Sequence, residues 1–186
     1  MAKTPSNMLP LDTKAPPFEL LDTVSDKTLS LDLLKGKIGT VIMFICNHCP
    51  FVIHVNPEIA KMAKEYQEKG ISFIAISSND IVNYPQDAPH LMKRKALESD
   101  YTFPYLYDET QEVAKAYDAA CTPDFYLFDN NLGLVYRGQL DDSRPGNGIP
   151  VSGIDLRKAI EALLQGNKIN SIQKPSIGCN IKWVIP

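Results

Sequence analysis

The sequence predicts an α/β fold in which a central mixed β-sheet is covered by helices on both faces, with an N-terminal hairpin extension. Three observations carry this. Buried-strand runs such as "TVIMFI" and "ISFIAISS" alternate with segments whose apolar residues recur at three- and four-residue steps, the order of parallel strands joined by helical crossovers. The chain then closes on two short extended segments about a turn, followed by an amphipathic helix. Finally, 186 residues with 44% hydrophobic and 22% charged side chains suit one globular unit with a substantial core. We expect a single domain over residues 1–186, with its core at about 10–165 and a C-terminal tail over 166–186.

Taken in order, the proline-rich opening (Pro5, Pro10, Pro16, Pro17) reads as an extended leader. "FELLDTVSDKTLSL", Phe18 to Leu31, holds two alternating segments around Ser25-Asp26-Lys27 and predicts a hairpin. "SLDLLKGK" predicts a short helix stopped at Gly36, and "TVIMFI" a buried strand. Val52, Val55, Ile59, Met62 and Tyr66 form one helical stripe ended by Gly70. This is a long helix starting at Cys46, with Pro57 inside it removing a backbone donor and expected to kink it. "ISFIAISS" is the next strand, "DAPHLMKRKALESD" a helix, "FPYLYD" a short extended segment and "ETQEVAKAY" a helix opened by acidic residues that suit its dipole. Phe125, Leu127 and "GLVYRGQL" pair about Asn130-Asn131, "DDSRPGNGIPVSG" is a loop, and Ile154 to Leu164 is the last helix.

A formal charge of −3 with scattered lysines offers no basic face for nucleic acid or an anionic membrane. The N-terminal stretch lacks the apolar run of a signal peptide, and no segment reaches the ~20 apolar residues of a membrane span. We therefore expect a cytoplasmic protein with neither nucleic acid nor membrane as partner. In a reducing compartment its four cysteines serve catalysis, metal binding or burial rather than permanent disulfides.

Cys46-Asn47-His48-Cys49 sits where a buried strand gives way to a long helix. If the helix starts at Cys46, its unpaired N–H groups and positive dipole end favour the Cys46 thiolate, the reactive form. Cys49, one turn on, can then attack a mixed disulfide at Cys46 and release the partner. Protonated His48 stabilises the Cys46 anion and makes the pair more oxidising. Two other readings stand beside this one: two small core thiols, or a zinc site drawing on Cys46, Cys49, Cys121 and Cys179 with His48, His54 or His90 as substitutes. Downstream, Ala120-Cys121-Thr122-Pro123-Asp124 precedes a strand. Its proline either merely starts that strand or holds a cis peptide that presents the Thr122 backbone as a rail for a substrate peptide.

Strand, CxxC, proline-bearing helix and Thr-Pro before a final hairpin and helix resemble the thioredoxin superfamily, over nearly the whole chain. "KAPPFELLDTVSDKTLSLDLLKGK" and "FPYLYDETQEVAKAYDAACTPDFYLFDNNLGLVYRG" resemble AhpC/TSA peroxiredoxins and TlpA/ResA-type reductases. "FICNHCPFV" with "PSIGCNIKW" is similar to a peroxiredoxin-like group. The resemblance implies a thioredoxin-like three-layer sandwich. It implies a thiol:disulfide oxidoreductase in which Cys46 attacks, Cys49 resolves, and Thr122 with cis Pro123 holds the substrate. Its implied role is antioxidant and redox-homeostatic; its partners are a protein or small-molecule disulfide, or a peroxide, and a thiol electron donor, with no cofactor and no bound metal. Peroxiredoxins place their attacking cysteine at the position of Cys49, preceded by threonine or serine and by proline where this chain has Cys46 and Ile42. That departure makes peroxide reduction the alternative activity. A metal-binding or metallochaperone module is the alternative of another class. The aspartate that thioredoxins bury before the CxxC pair is Thr40 here, which leaves the resolving step to His48 or water.

Cys121 and Cys179 are candidate additional thiols. Cys121 is a buried core residue or a third redox or ligating thiol. Cys179 acts as a further resolving thiol if the tail reaches the active site, and is structural if the tail packs elsewhere. Ile177, Ile181, Trp183 and Ile185 make the tail apolar enough to pack on something. "DDSRPGNG", with Arg137 and Arg144, is either the border of a substrate groove or a solvated loop.

Overall fold

In a computed structural model, which describes residues 3–184, the chain runs β1 (Lys3–Pro5), β2 (Glu19–Asp22), β3 (Lys27–Ser30), α1 (Leu31–Leu34), β4 (Gly39–Phe44), α2 (Pro50–Gln67) and β5 (Ile71–Ser77). A 3-10 turn at Pro85–Asp87 leads into α3 (Pro89–Glu98), then β6 (Tyr105–Tyr107), α4 (Glu112–Ala116), β7 (Cys121–Thr122), β8 (Asp124–Asp129), β9 (Leu134–Gly138), α5 (Ile154–Leu164) and β10 (Ile177–Asn180). Ile185 of the expected tail packing lies outside the described residues. Among the described residues no helix is long and apolar enough to cross a membrane.

Strand β4 lies inside the sheet between β5 and β8, and all six of its residues are buried. A strand covered on both faces must be apolar on both, and Val41, Met43 and Ile45 enter one core while Ile42 and Phe44 enter the other. The first core is covered by α2, α3 and α5 through Val52, Val55, Ile59, Met92, Leu156 and Ile160. The second is covered by α1 and α4 through Leu31 and Ala114, with Tyr117 at its centre. Three layers result, as the alternation of strands and helices predicts.

The sheet order is β3-β2-β6-β5-β4-β8-β9, with β4, β5 and β6 parallel and the remaining pairings antiparallel. Glu19–Asp22 and Lys27–Ser30 form the expected hairpin, and Ser30 caps α1 by accepting from the Leu33 N–H at 3.3 Å. Gly70 ends the α2 segment at φ +88°, a conformation that favours glycine.

Three elements differ from the expectation. The leader and the tail are strands: β1 and β10 pair antiparallel, and β10 pairs in turn with β7, making a second, three-stranded sheet. Helix α2 starts at Pro50, not at Cys46. The reason is local: the residue before a proline is driven out of the α region, so Cys49 is extended (φ −69°, ψ 122°) and Pro50 becomes the first helical residue.

Candidate active site

The segment from Ile45 to Cys49 leaves β4 at the carboxyl ends of the parallel strands, where open α/β sheets place their sites. Because α2 begins one residue after Cys49, the positive end of its dipole faces Cys49 rather than Cys46, which corrects the expectation that the helix start activates Cys46. Both thiols are buried, at 2% and 0% exposure for Cys46 and Cys49. Cys46 Sγ lies 3.5 Å from Thr122 Oγ1, and the Cys49 thiol donates to the Thr122 carbonyl at 3.1 Å. The Thr122–Pro123 peptide is cis, so Thr122 turns both its hydroxyl and its carbonyl toward the pair.

The two thiols hydrogen-bond to each other, so ionising one opposes ionising the other. Hydrogen bonding to Cys49, burial and the nearby Asp87 charge push the Cys46 thiol well above its ordinary value. The Cys49 thiol is drawn well below its ordinary value, first by the bond from Cys46, with help from the Thr122 hydroxyl and Cys179 and against the cost of burial. In the fully protonated pair Cys49 donates to the Thr122 carbonyl; once that proton leaves, the anion rests on Cys49 with Cys46 as donor.

His48 is the outermost of the cluster. Its Nδ1 lies 2.7 Å from Asp87 Oδ2, and its ring stacks on Tyr84 with centroids 5.5 Å apart. Asp87, wholly buried, ends the 3-10 turn. It also accepts from the Asn47 N–H at 2.8 Å and from Asn79 Nδ2 at 2.7 Å. The Asp87 hydrogen bond, first, raises the His48 pKa above its ordinary value, against the desolvation that lowers it. Donor atoms of Cys46, His48 and Asp87 fall within 4.8 Å of one another. That grouping differs from the zinc set expected from four cysteines: of those thiols it includes only Cys46. His90 stands on α3, and His54, on α2, buries Nε2 without a hydrogen-bond partner.

Sequence reasoning missed Asp87, because "DAP" before an apolar stripe signals a helix start and nothing in its spacing links it to residues 46–49. Thr40 is buried in β4 and its hydroxyl accepts from the Gly36 N–H at 3.0 Å.

The other candidates separate. Cys121 Sγ points to the Pro123 carbonyl at 3.6 Å, and burial pushes its thiol far up. Arg137 does not border a groove: it is wholly buried, donating to Tyr126 Oη and the Asp118 carbonyl at 2.8 Å and to Asp124 Oδ2 at 3.3 Å. Arg144 folds back onto the carbonyls of Asp141 and Ser143. The tail does reach the site. β10 sets Cys179 opposite Thr122 and Asn180 opposite Cys121, and the Cys179 thiol hydrogen-bonds to Cys49. The Thr122 backbone, expected to stand open as a substrate rail, is therefore paired with the chain's own tail.

The sequence matches the AhpC/TSA family over residues 11–137. A conserved, uncharacterised protein of Geobacillus kaustophilus has the same structure throughout: 59% identity, TM-score 0.98, covering 100% of this chain and 98% of that one. The thiol-disulfide oxidoreductase ResA of Oceanobacillus iheyensis is 29% identical over 121 residues, which are 63% of this chain and 58% of ResA. This chain thus spans about three fifths of the length of the curated relatives it matches. The thioredoxin domain of a Bacteroides vulgatus thiol-disulfide oxidoreductase, at 19% identity, shares the fold with a TM-score of 0.59 over 70% of this chain and 89% of that one. With a thioredoxin-like arrangement of strands and helices and a match over residues 11–137, the chain belongs to the AhpC/TSA family.

Proposed function

We propose that the protein is a thiol:disulfide oxidoreductase whose centre is the Cys46–Cys49 dithiol, serving redox homeostasis. The observation that carries this is two thiols in hydrogen-bonding contact at a helix start, flanked by a His48–Asp87 pair that can hold or release a proton. The Cys49 thiolate attacks a disulfide RS–SR′, forming Cys49–S–S–R and expelling R′S⁻. Cys46 then loses its proton to His48 or solvent and attacks Cys49 Sγ, forming the Cys46–Cys49 bond and expelling RS⁻. Two electrons have moved to the substrate, and an external thiol reverses the sequence. This order is the reverse of the one the resemblance implies, and the position of Cys49 at the helix start supports it.

Burial of both thiols favours small substrates over folded proteins. An open cleft of about 320 Å³ beside Asn47 and His48 is lined further by Gln86, Leu91 and the charged Arg94, Lys95 and Glu98, a size that suits a low-molecular-weight disulfide. Peroxide reduction is a second reading favoured by the same Cys49 anion: it would attack ROOH, taking one oxygen as sulfenic acid and expelling RO⁻, and the Cys46 thiol would then form the Cys46–Cys49 disulfide and release that oxygen as water. Metal analysis of purified protein tests the reading as a metal-binding module.

Mass-spectrometric disulfide mapping after mild oxidation, with titration against glutathione, tests the proposal. A Cys46–Cys49 bond with a defined potential is expected, and its absence would refute the dithiol reading. Alkylation between pH 5 and 8 tests the order of attack. Cys46→Ser, which retains a hydroxyl donor, should leave Cys49 reactive at low pH, whereas Cys49→Ser should leave Cys46 slow. The reverse pattern restores Cys46 as the attacking thiol.

A further inference from the structure

Strand β10 does more than fill an edge. It runs antiparallel to β7 with Cys179 opposite Thr122, the residue whose carbonyl and hydroxyl meet the Cys46 and Cys49 thiols. An extended segment added to a strand edge is the way a peptide docks by β-augmentation, and here the peptide is residues 176–181 of the same chain. Its fit is built into the sequence. Ser176 Oγ donates to the Pro123 carbonyl at 2.6 Å, and the Ile181 N–H donates to the Ala120 carbonyl at 3.2 Å. Gly178 lies so close that a Cβ there would fall 1.9 Å from the Thr122 oxygen and 2.6 Å from its carbon. Only glycine lets the strand approach this far, and the approach is what brings the next residue's thiol onto Cys49.

We propose that Cys179 is an intramolecular exchange partner of the redox centre, delivered to Cys49 as a docked substrate cysteine would be. Resting on the dithiol reading above, the step is a thiol–disulfide exchange without an external oxidant. The Cys179 thiolate attacks Cys49 Sγ of the Cys46–Cys49 disulfide, the Cys49–Cys179 bond forms, and Cys46 leaves as thiolate. Atoms, charge and oxidation level are conserved. The oxidised protein is therefore a mixture of two disulfide isomers hinged on Cys49, in one of which Cys46 is a free thiol beneath His48. In the reduced protein, burial and the Cys49 charge push the Cys179 thiol up to about 12. Oxidation of Cys49 removes the second of these, so Cys179 becomes the better nucleophile when its target is a disulfide.

The test is disulfide mapping of the full-length oxidised protein, acid-quenched after equilibration, in wild type, Cys179→Ser, Gly178→Val and Cys46→Ser. Wild type should carry both isomers, with Cys49–Cys179 within about tenfold of Cys46–Cys49. Cys179→Ser should hold Cys46–Cys49 alone. Gly178→Val, which forces β10 off Thr122, should lower the Cys49–Cys179 fraction at least about tenfold while keeping Cys46–Cys49. Cys46→Ser treated with oxidised glutathione should release glutathione as Cys49–Cys179 forms; a stable glutathione adduct on Cys49 with Cys179 reduced would overturn the proposal. Cys46–Cys49 in wild type with no Cys49–Cys179 sinks this inference and leaves the oxidoreductase reading intact. Cys49–Cys179 without any Cys46–Cys49 refutes the dithiol reading, and the exchange, which starts from that bond, falls with it.

Discussion

Asp87 holds His48 through one hydrogen bond, at 2.7 Å from Nδ1 to Oδ2. Because it raises the His48 pKa above 6.5, the folded state binds a proton more tightly than the unfolded chain. The pair's contribution to stability is therefore full below pH 6.5 and is lost as pH rises through the raised value. Asp87→Asn should remove that pH dependence from the denaturation midpoint above pH 6.5, whereas a merely structural Asp87 would lower the midpoint equally at every pH. His48→Ala removes a cation near a thiolate pair and should make the disulfide harder to reduce, by roughly 30 mV if the charge is worth tenfold in equilibrium. An unchanged potential in a glutathione titration would end that role. Arg137 belongs to the second core, where Asp124 and Tyr126 take its guanidinium. Arg137→Met strands the Asp124 carboxylate and should cost about 3–5 kcal/mol in urea denaturation. Cys46, His48, Cys49, Thr122 and Pro123 were legible in the sequence because each belongs to a short contiguous motif. Asp87 was not, since its approach depends on how the loop after β5 folds back.

Elements were legible where their own periodicity fixes them and obscure where a neighbour does. β4 reads as a buried strand because both its faces are apolar, and Met43→Ala at its centre should cost about 2–5 kcal/mol of stability. Unfolding by urea with an unchanged slope would check it. α2 reads as a helix from its stripe, but its first turn was placed too early: the constraint that Pro50 puts on Cys49 outweighs the apolar pattern running back to Cys46. That shift of four residues puts Cys49 rather than Cys46 at the helix start. β1 and β10 carry no period of their own. Lys3 to Pro5 and Ile177 to Asn180 become strands only because each finds the other and β7 across the fold, a pairing that local pattern cannot express.

At the scale of the whole molecule the tail straps the site's two halves together. One end is bound at Ser176 to Pro123 and Ser6. The middle pairs with β7, and beyond it Lys182 donates its N–H to Asn79 Oδ1 at 2.8 Å, while the Asp80 N–H and Gln111 Nε2 donate to the Lys182 carbonyl. Asn79 is itself a donor to Asp87, so the strap reaches from the Thr122 side of the thiols to the carboxylate behind His48. Ending the chain at Pro175 would strip β10 from β7, expose the Thr122 edge and remove Ile181 from the second core. The seven-stranded sheet makes no pairing with β10 and should persist, with near-native far-ultraviolet circular dichroism and a stability loss of about 2–5 kcal/mol for the buried isoleucine and lost contacts. Thiol access should change far more. Alkylation of the Cys46–Cys49 pair should quicken at least about tenfold, and a protein disulfide that the full chain ignores should become a substrate, because the edge that pairs with an incoming peptide is open. If the shortened chain stays folded and its thiols remain as slow as before, burial beneath the strap is not what limits access, and the small-substrate preference must come from the His48 cleft alone.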